Sequence, residues 1–211
     1  MAGSKVGVGV LVSGRGTNLS AILAASASAG YPAEVVAVAS NRPGSPAVEI
    51  ARTAGVPTRS FPAAAFSGDL EARDRAMAAW LLEEGAAIVV LAGYDRILTW
   101  PLLRAFPERV LNLHNSLLPA FAGTMTAVQA ALDHGVKVTG CTVHLVDENY
   151  LDGGPIVLQA AVGVEDGDSA QTLPERIHAE EWRILPEAIA MLARGEIKVE
   201  GRRVLRVAPK R

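Results

Sequence analysis

The chain has 211 residues, half of them hydrophobic and 20% charged, which supplies a sizeable apolar core and argues against disorder. A formal net charge of −2 excludes the basic surplus of a non-specific nucleic-acid binder, and a single cysteine, Cys141, excludes an internal disulfide or a cysteine-rich metal cluster. No apolar stretch reaches the ~20 residues of a membrane helix, and Met-Ala-Gly-Ser-Lys lacks the apolar core of a signal peptide, so a soluble cytoplasmic protein is expected.

The elements then follow in order. Lys5 to Val12 is a β-branched run that ends in Ser13-Gly14-Arg15-Gly16, and a helix with Leu19, Ile22 and Leu23 on one face closes near Gly30. Val35 to Ala39 is a second strand, Val48 to Ala54 a short helix stopped by Gly55, and Thr58 to Phe61 a third strand. Leu70 to Glu84 is an amphipathic helix, and Ala87 to Ala92 and Val110 to Leu113 are apolar strands. After Gly123 comes a helix around Thr126–His134. Two runs, Thr139–Val146 and Pro155–Val164, are joined by the short loop Asp147–Gly154 and predict an antiparallel pair. Ser169 to Arg194 reads as one long helix with Ser169 as a plausible N-cap, although Pro174 leaves the start open. Arg202, Arg203, Arg206, Lys210 and Arg211 read as a solvated basic tail.

Strand–helix alternation with apolar strands predicts an α/β fold: a Rossmann-like, mostly parallel sheet with antiparallel strands in the C-terminal half and helices on both faces. We expect one domain over 1–211, with a nucleotide-binding half at about 1–110 and a catalytic half at about 111–211.

Four clusters can carry chemistry. The turn Ser13-Gly14-Arg15-Gly16-Thr17-Asn18 leads into a helix whose first amides, at Gly16, Thr17 and Asn18, can bind an anion; the same turn also serves as a plain connection. It is not the dinucleotide fingerprint G-x-G-x-x-G, because Leu19 stands at the third glycine. At the end of a parallel strand, Asn112 and His114 point to one face, where open α/β sheets bind ligands. Leu151-Asp152-Gly153-Gly154-Pro155 is a turn that presents a carboxylate, and with His114 it supplies an acid–base pair. Arg96, Ile97 and Leu98 follow the strand ending at Ala92; they either pack or line a pocket for a flat ring. His134, His144 and His178 are read as structural, and Cys141 as a small buried hydrophobe.

In register, G-x-G-T-N-L, L-A-G-Y-x-R-I-L, N-x-H-x-S-L-L-P-A-F and L-D-G-G-P resemble the glycinamide ribonucleotide formyltransferase family of purine biosynthesis. The resemblance spans Leu11 to Pro155 and continues through Glu180-Glu181. It implies that Asn112, His114 and Asp152 are catalytic. It implies further that Gly16, Thr17 and Asn18 hold a substrate phosphate and Glu181 its amine or sugar end. Arg96, Ile97, Leu98, Val146, Asp147 and Leu151 would wrap the pteridine of 10-formyltetrahydrofolate, the co-substrate. A carboxylate at Asp152 would favour the charged form of His114. No metal, nucleic acid or membrane is implied, and the expected assembly is a monomer or a homodimer.

The sequence departs from that pattern at three places: Asn115 replaces the usual proline, and Met125 and Ala127 replace frequent histidines. An Arg or Lys often found near residue 70 has no obvious counterpart beside Asp69 and Leu70. Related folate-dependent formyltransferases or hydrolases with another acceptor stay open, as does a non-catalytic folate or nucleotide binder. A nicotinamide-dependent oxidoreductase is disfavoured by Leu19 and by the lack of an acidic residue closing the second strand.

Overall fold

The structure, a computed structural model, describes residues 4–147 and 151–208. In the first strand, β1 (Val6–Val12), alternation sends Val8, Val10 and Val12 into one hydrophobic core and Leu11 into a second on the opposite face. Strand and helix then alternate: α1 (Thr17–Ala27), β2 (Ala33–Ser40), α2 (Pro46–Thr53), β3 (Thr58–Ser60), α3 (Leu70–Glu83), β4 (Ile88–Leu91), α4 (Trp100–Ala105) and β5 (Val110–His114). The second half runs α5 (Ala127–Asp133), β6 (Val138–Leu145), β7 (Ile156–Gly163), α6 (Leu173–Ala193), β8 (Ile197–Glu200) and β9 (Arg203–Arg206).

The described strands form one sheet in the order β3-β2-β1-β4-β5-β6-β7-β9-β8. β1 to β5 pair in parallel, β6 is antiparallel to both β5 and β7, and β8 is antiparallel to β9. The predicted fold class therefore holds. One core takes Leu19 and Ile22 of α1, Ala47 of α2 and Ile177, Ile184 and Leu185 of α6; the other takes Met77 and Leu81 of α3 and Leu102 of α4. The β6–β7 register shifts by one residue after Val143: Val143 faces Leu158 and His144 faces Ile156, so Val157 has no opposite number.

Three expectations change. The last long helix starts at Leu173, not at Ser169; Ser169 Oγ instead accepts the amides of Gln171 and Thr172 at 3.2 and 3.3 Å, capping the turn ahead of the helix. α4 and a 3₁₀ turn at Ala63–Phe66 were not anticipated. Arg202, Arg203 and Arg206 of the basic run are solvent-exposed, as expected, but they do not form a tail through residue 206: Arg203 and Arg206 lie on β9, and Arg206 pairs with Glu187 of α6 at 3.3 Å. Lys210 and Arg211 lie outside the described residues.

α3 also carries a fully buried ion pair between neighbours, Arg73 Nε to Asp74 Oδ1 at 2.7 Å. Arg73 Nη2 donates to the Ile97 carbonyl at 2.9 Å, and Asp74 Oδ2 accepts the Thr99 amide at 2.6 Å and its hydroxyl at 2.8 Å. Those buried charges find their remaining partners on the backbone and the Thr99 hydroxyl of the segment that leads into α4, which they hold in place.

Candidate active site

β5 ends the parallel run of β1 to β5, and its pairing with antiparallel β6 sets Asn112 opposite His144 and His114 opposite Thr142. Opposite residues share a face, so four polar side chains gather where the strand ends. The turn before β7 brings the carboxylate. Asp152 Oδ2 lies 3.3 Å from His114 Nδ1 and accepts the Gly123 amide at 2.9 Å, while Oδ1 accepts from Asn112 Nδ2 at 3.3 Å and lies 3.7 Å from His144 Nε2. Asn112, His114 and Asp152, expected to act together, thus meet. His144, read from the sequence as structural, joins them: its Nδ1 donates to the Leu145 carbonyl at 2.9 Å, and its Nε2 receives Asn112 Nδ2 at 3.1 Å. The sequence signal for it was the polar pair Thr142 and His144 alternating with buried Cys141, Val143 and Leu145 in a strand whose second face is also covered.

The electrostatics favour an ionised Asp152. Burial pushes its carboxyl up, but the polar groups of the site, among them the Gly123 amide and the charge of His114, outweigh that and hold it below the ordinary carboxylate range. His114 is gripped at both nitrogens, since Nε2 lies 3.0 Å from the Phe121 carbonyl. Carboxylate and carbonyl both accept, so a doubly protonated ring serves both at once.

The residues that grip it are conformationally unusual. Phe121 and Asp152 are non-glycine residues with φ of 57° and 51°, a left-handed conformation that costs about 1–2 kcal/mol each. Two residues on, a side chain at Gly154 would stand 1.9 Å from the Leu145 carbonyl, so only glycine lets this turn rest on the end of β6.

Beside the trio, at the switch point where strand order reverses between β1 and β4, lies a cavity of about 170 Å³. Gly16, Thr17 and Asn18 line it with Glu181, as expected; Arg15, Gly93, Asn115 and His178 complete much of the wall. Gly16 (φ 83°) is the N-cap of α1 and makes no side-chain cap bond, so the helix presents its first amides to the cavity. Asp95 ties the neighbouring turns together: it accepts from Asn41 Nδ2 at 2.8 Å and from Ser13 Oγ at 3.0 Å, and it pairs with Arg42.

Glu181 is buried within this wall. Asn18 Nδ2 donates to its Oε2 at 3.0 Å and Asn115 Nδ2 to its Oε1 at 2.8 Å. Asn115, noted only as a departure, and His178, read as an ordinary helix residue, both belong to this cavity. Arg73, the basic residue nearest position 70, is consumed in the ion pair with Asp74.

A second cavity of about 310 Å³ opens between α4 and the end of β6 and is lined by Trp100, Leu103, Arg104, Pro107, Glu108, Val146 and Asp147. Val146 and Asp147 were expected at a ring-binding site, whereas Trp100, Leu103 and Arg104 were not. Arg96, Ile97, Leu98 and Leu151 belong to the lining of neither cavity: Leu98 is buried, Ile97 and Leu151 are exposed, and Arg96 lies 3.5 Å from Asp95. Between Val146 and Asp152, residues 148–150 lie outside the described residues. Met125 is exposed and Ala127 buried at the start of α5.

The formyl transferase family matches this chain over residues 7–189. Phosphoribosylglycinamide formyltransferase of Mycobacterium tuberculosis is 46% identical over 92% of this chain and 87% of its own length. The trifunctional purine biosynthetic protein adenosine-3 of Gallus gallus is 40% identical over 93% of this chain, which spans only 19% of that larger protein. Among solved structures, glycinamide ribonucleotide transformylase 1 from Symbiobacterium toebii superposes with a TM-score of 0.93 at 48% identity, covering 98% of this chain and 96% of that one.

Proposed function

The chain belongs to the formyl transferase family, and from that premise we propose that it moves the formyl group of 10-formyltetrahydrofolate to the amine of glycinamide ribonucleotide. The products are N-formylglycinamide ribonucleotide and tetrahydrofolate, a step of de novo purine biosynthesis. The observation that carries this reading is the convergence of Asn112, His114 and Asp152 from separate stretches of chain, next to a cavity walled by a glycine turn and a buried glutamate.

In this reading the phosphate of the nucleotide rests on the first amides of α1, with Arg15 supplying positive charge and the His178 ring beside it, and Glu181 receives the sugar or amine end. The folate ring takes the second cavity, whose apolar wall of Trp100, Leu103 and Val146 suits a flat heterocycle. Each cavity draws on residues from both sides of residue 110, so the two substrates sit across the chain's halves rather than one in each.

The amine attacks the formyl carbon, forming a C–N bond and a tetrahedral centre with a negative oxygen and a positive nitrogen. Protonated His114 and the Asn112 amide stabilise that oxygen. Both Asn112 N–H groups are engaged at rest, and the 3.3 Å contact to Asp152 is the weaker one to exchange for the oxyanion. Asp152 takes the amine proton, directly or through water; the folate nitrogen then accepts a proton as its bond to the formyl carbon breaks. The protein contributes position and electrostatics while the folate carries the one-carbon unit.

The test is formyl transfer from 10-formyltetrahydrofolate, followed by the absorbance of the folate product, with and without glycinamide ribonucleotide. Turnover that requires the nucleotide is the expected result. Folate turnover without any acceptor would replace this reading with a hydrolase, and none in either tube would replace it with another acceptor or a binding role.

A further inference from the structure

Side chains alternate at the end of β5. Asn112 and His114 face β6's His144 and Thr142, while Leu113 and Asn115 face the cavity that α6 closes. The catalytic trio and the acceptor cavity are thus served by opposite faces of one strand end. On the cavity side, Glu181 is 1% exposed, yet each of its oxygens is held by an amide from a different element, Asn18 from α1 and Asn115 from the segment after β5. A carboxylate oxygen accepts more than one hydrogen bond, so both retain acceptor capacity toward the cavity that all three residues line.

We infer that Asn115 is a positioning residue for acceptor recognition: by fixing Oε1 it turns the Glu181 carboxylate toward hydroxyl or ammonium donors of the bound nucleotide. This rests on the proposed function, and it gives the amide at a position where proline is usual a task of its own. Asn18 alone leaves the carboxylate free to rotate about its bond to Oε2. With Asn115 the group is clamped from two sides, and an ordered acceptor needs no reorganisation when substrate arrives.

The surroundings hold the Glu181 carboxyl above the ordinary carboxylate range. Burial pushes its carboxyl up, and the Asn18 amide and the charge of His178 partly offset that. The other titratable group packed near it is Cys141 of β6, whose thiol burial pushes up to about 12. Glu180 and Arg183, on the same helix, pair with each other at 2.6 Å, and Arg15 lines the cavity from the turn after β1.

The experiment compares wild type, Asn115→Ala, Glu181→Gln and the double variant in full steady-state kinetics against both substrates, from acid to neutral pH, with thermal melts as a check on folding. Asn115→Ala should raise the KM for glycinamide ribonucleotide about tenfold while kcat and the KM for 10-formyltetrahydrofolate stay within about twofold. On acidification its acceptor KM should start to rise at a higher pH than in wild type, because a carboxylate with one donor fewer protonates more readily. In the Glu181→Gln background, Asn115→Ala should add little. Independent, multiplying effects of the two substitutions would overturn the inference, as would an unchanged acceptor KM or a parallel loss of kcat, both KM values and thermal stability. Wild-type turnover indifferent to the nucleotide is a separate outcome: it removes the proposed function, and this inference falls with it.

Discussion

Asn112 and His144 are opposite partners in the β5–β6 register, and the amide nitrogen of the first lies 3.1 Å from Nε2 of the second. His144 is 2% exposed and donates its other nitrogen to the Leu145 carbonyl, so the ring is fixed and holds the Asn112 amide in one orientation. His144→Ala should therefore lower kcat by up to ~10²-fold through misplacement of Asn112, with the acceptor KM changed little. Equal kinetics in wild type and variant would reduce His144 to a packing residue.

Asp152 should make stability depend on pH at the acid end. Its folded carboxyl titrates below the ordinary range, so it stabilises the fold fully above an unfolded value of about 3.9, and that contribution is lost as pH falls through the lower folded value. The gap in Tm between wild type and Asp152→Asn should accordingly change as pH falls below about 4, where the wild-type carboxylate protonates and its contribution is lost. A gap that stays the same below that pH would show that the folded carboxyl is not held below its unfolded value.

Two glycines of the same turn should respond very differently to alanine. At Gly16, φ is 83° and a Cβ would lie 2.8 Å from the Ala47 Cα, so Gly16→Ala should destabilise by at least about 1–2 kcal/mol and displace α2. Gly14 has nothing within 4 Å of the corresponding position, and Gly14→Ala should leave the denaturation midpoint almost unchanged. Chemical denaturation of both variants decides the matter; similar losses would mean that crowding at Gly16 does not govern the turn.

Much of the fold was open to reading because it rests on local periodicity. The valines of β1, the Leu19–Ile22–Leu23 face of α1 and the apolar run of β4 carry their own signal, and Asn112, His114 and Asp152 stand in motifs dense enough to recognise. What escaped depends on pairing at a distance. Nothing near His144 reveals that Asn112 will face it, since that is a property of the β5–β6 register. α4 has six residues and a proline in its first turn, too short for a helical period to show. The C-terminal hairpin did carry a cue, the alternation Ile197-Lys198-Val199-Glu200 before Gly201, but the arginines around it drew the reading toward charge.

The buried pair on α3 should be sensitive to the loss of a single partner. Asp74→Ala leaves the Arg73 guanidinium without its carboxylate at 1% exposure and removes both bonds to Thr99, a change expected to cost about 3–5 kcal/mol. Urea titration measures this directly; a loss below about 1 kcal/mol, the range of exposed pairs, would show that the interior relaxes around the arginine.

The unopposed Val157 sets the reach of the Asp152 carboxylate. Because β7 spends one extra residue opposite β6 there, Ile156 faces His144 instead of Leu145, and the segment that leads back to Asp152 starts one position closer to the middle of β6 than regular pairing would place it. Regular pairing, with Val157 opposite His144, would carry that segment outward by about 3.3 Å, the rise of one strand residue, which exceeds the slack in any of the contacts Asp152 makes. The irregularity thus acts as a spacer: a length adjustment in β7 decides whether a carboxylate and two imidazoles can meet.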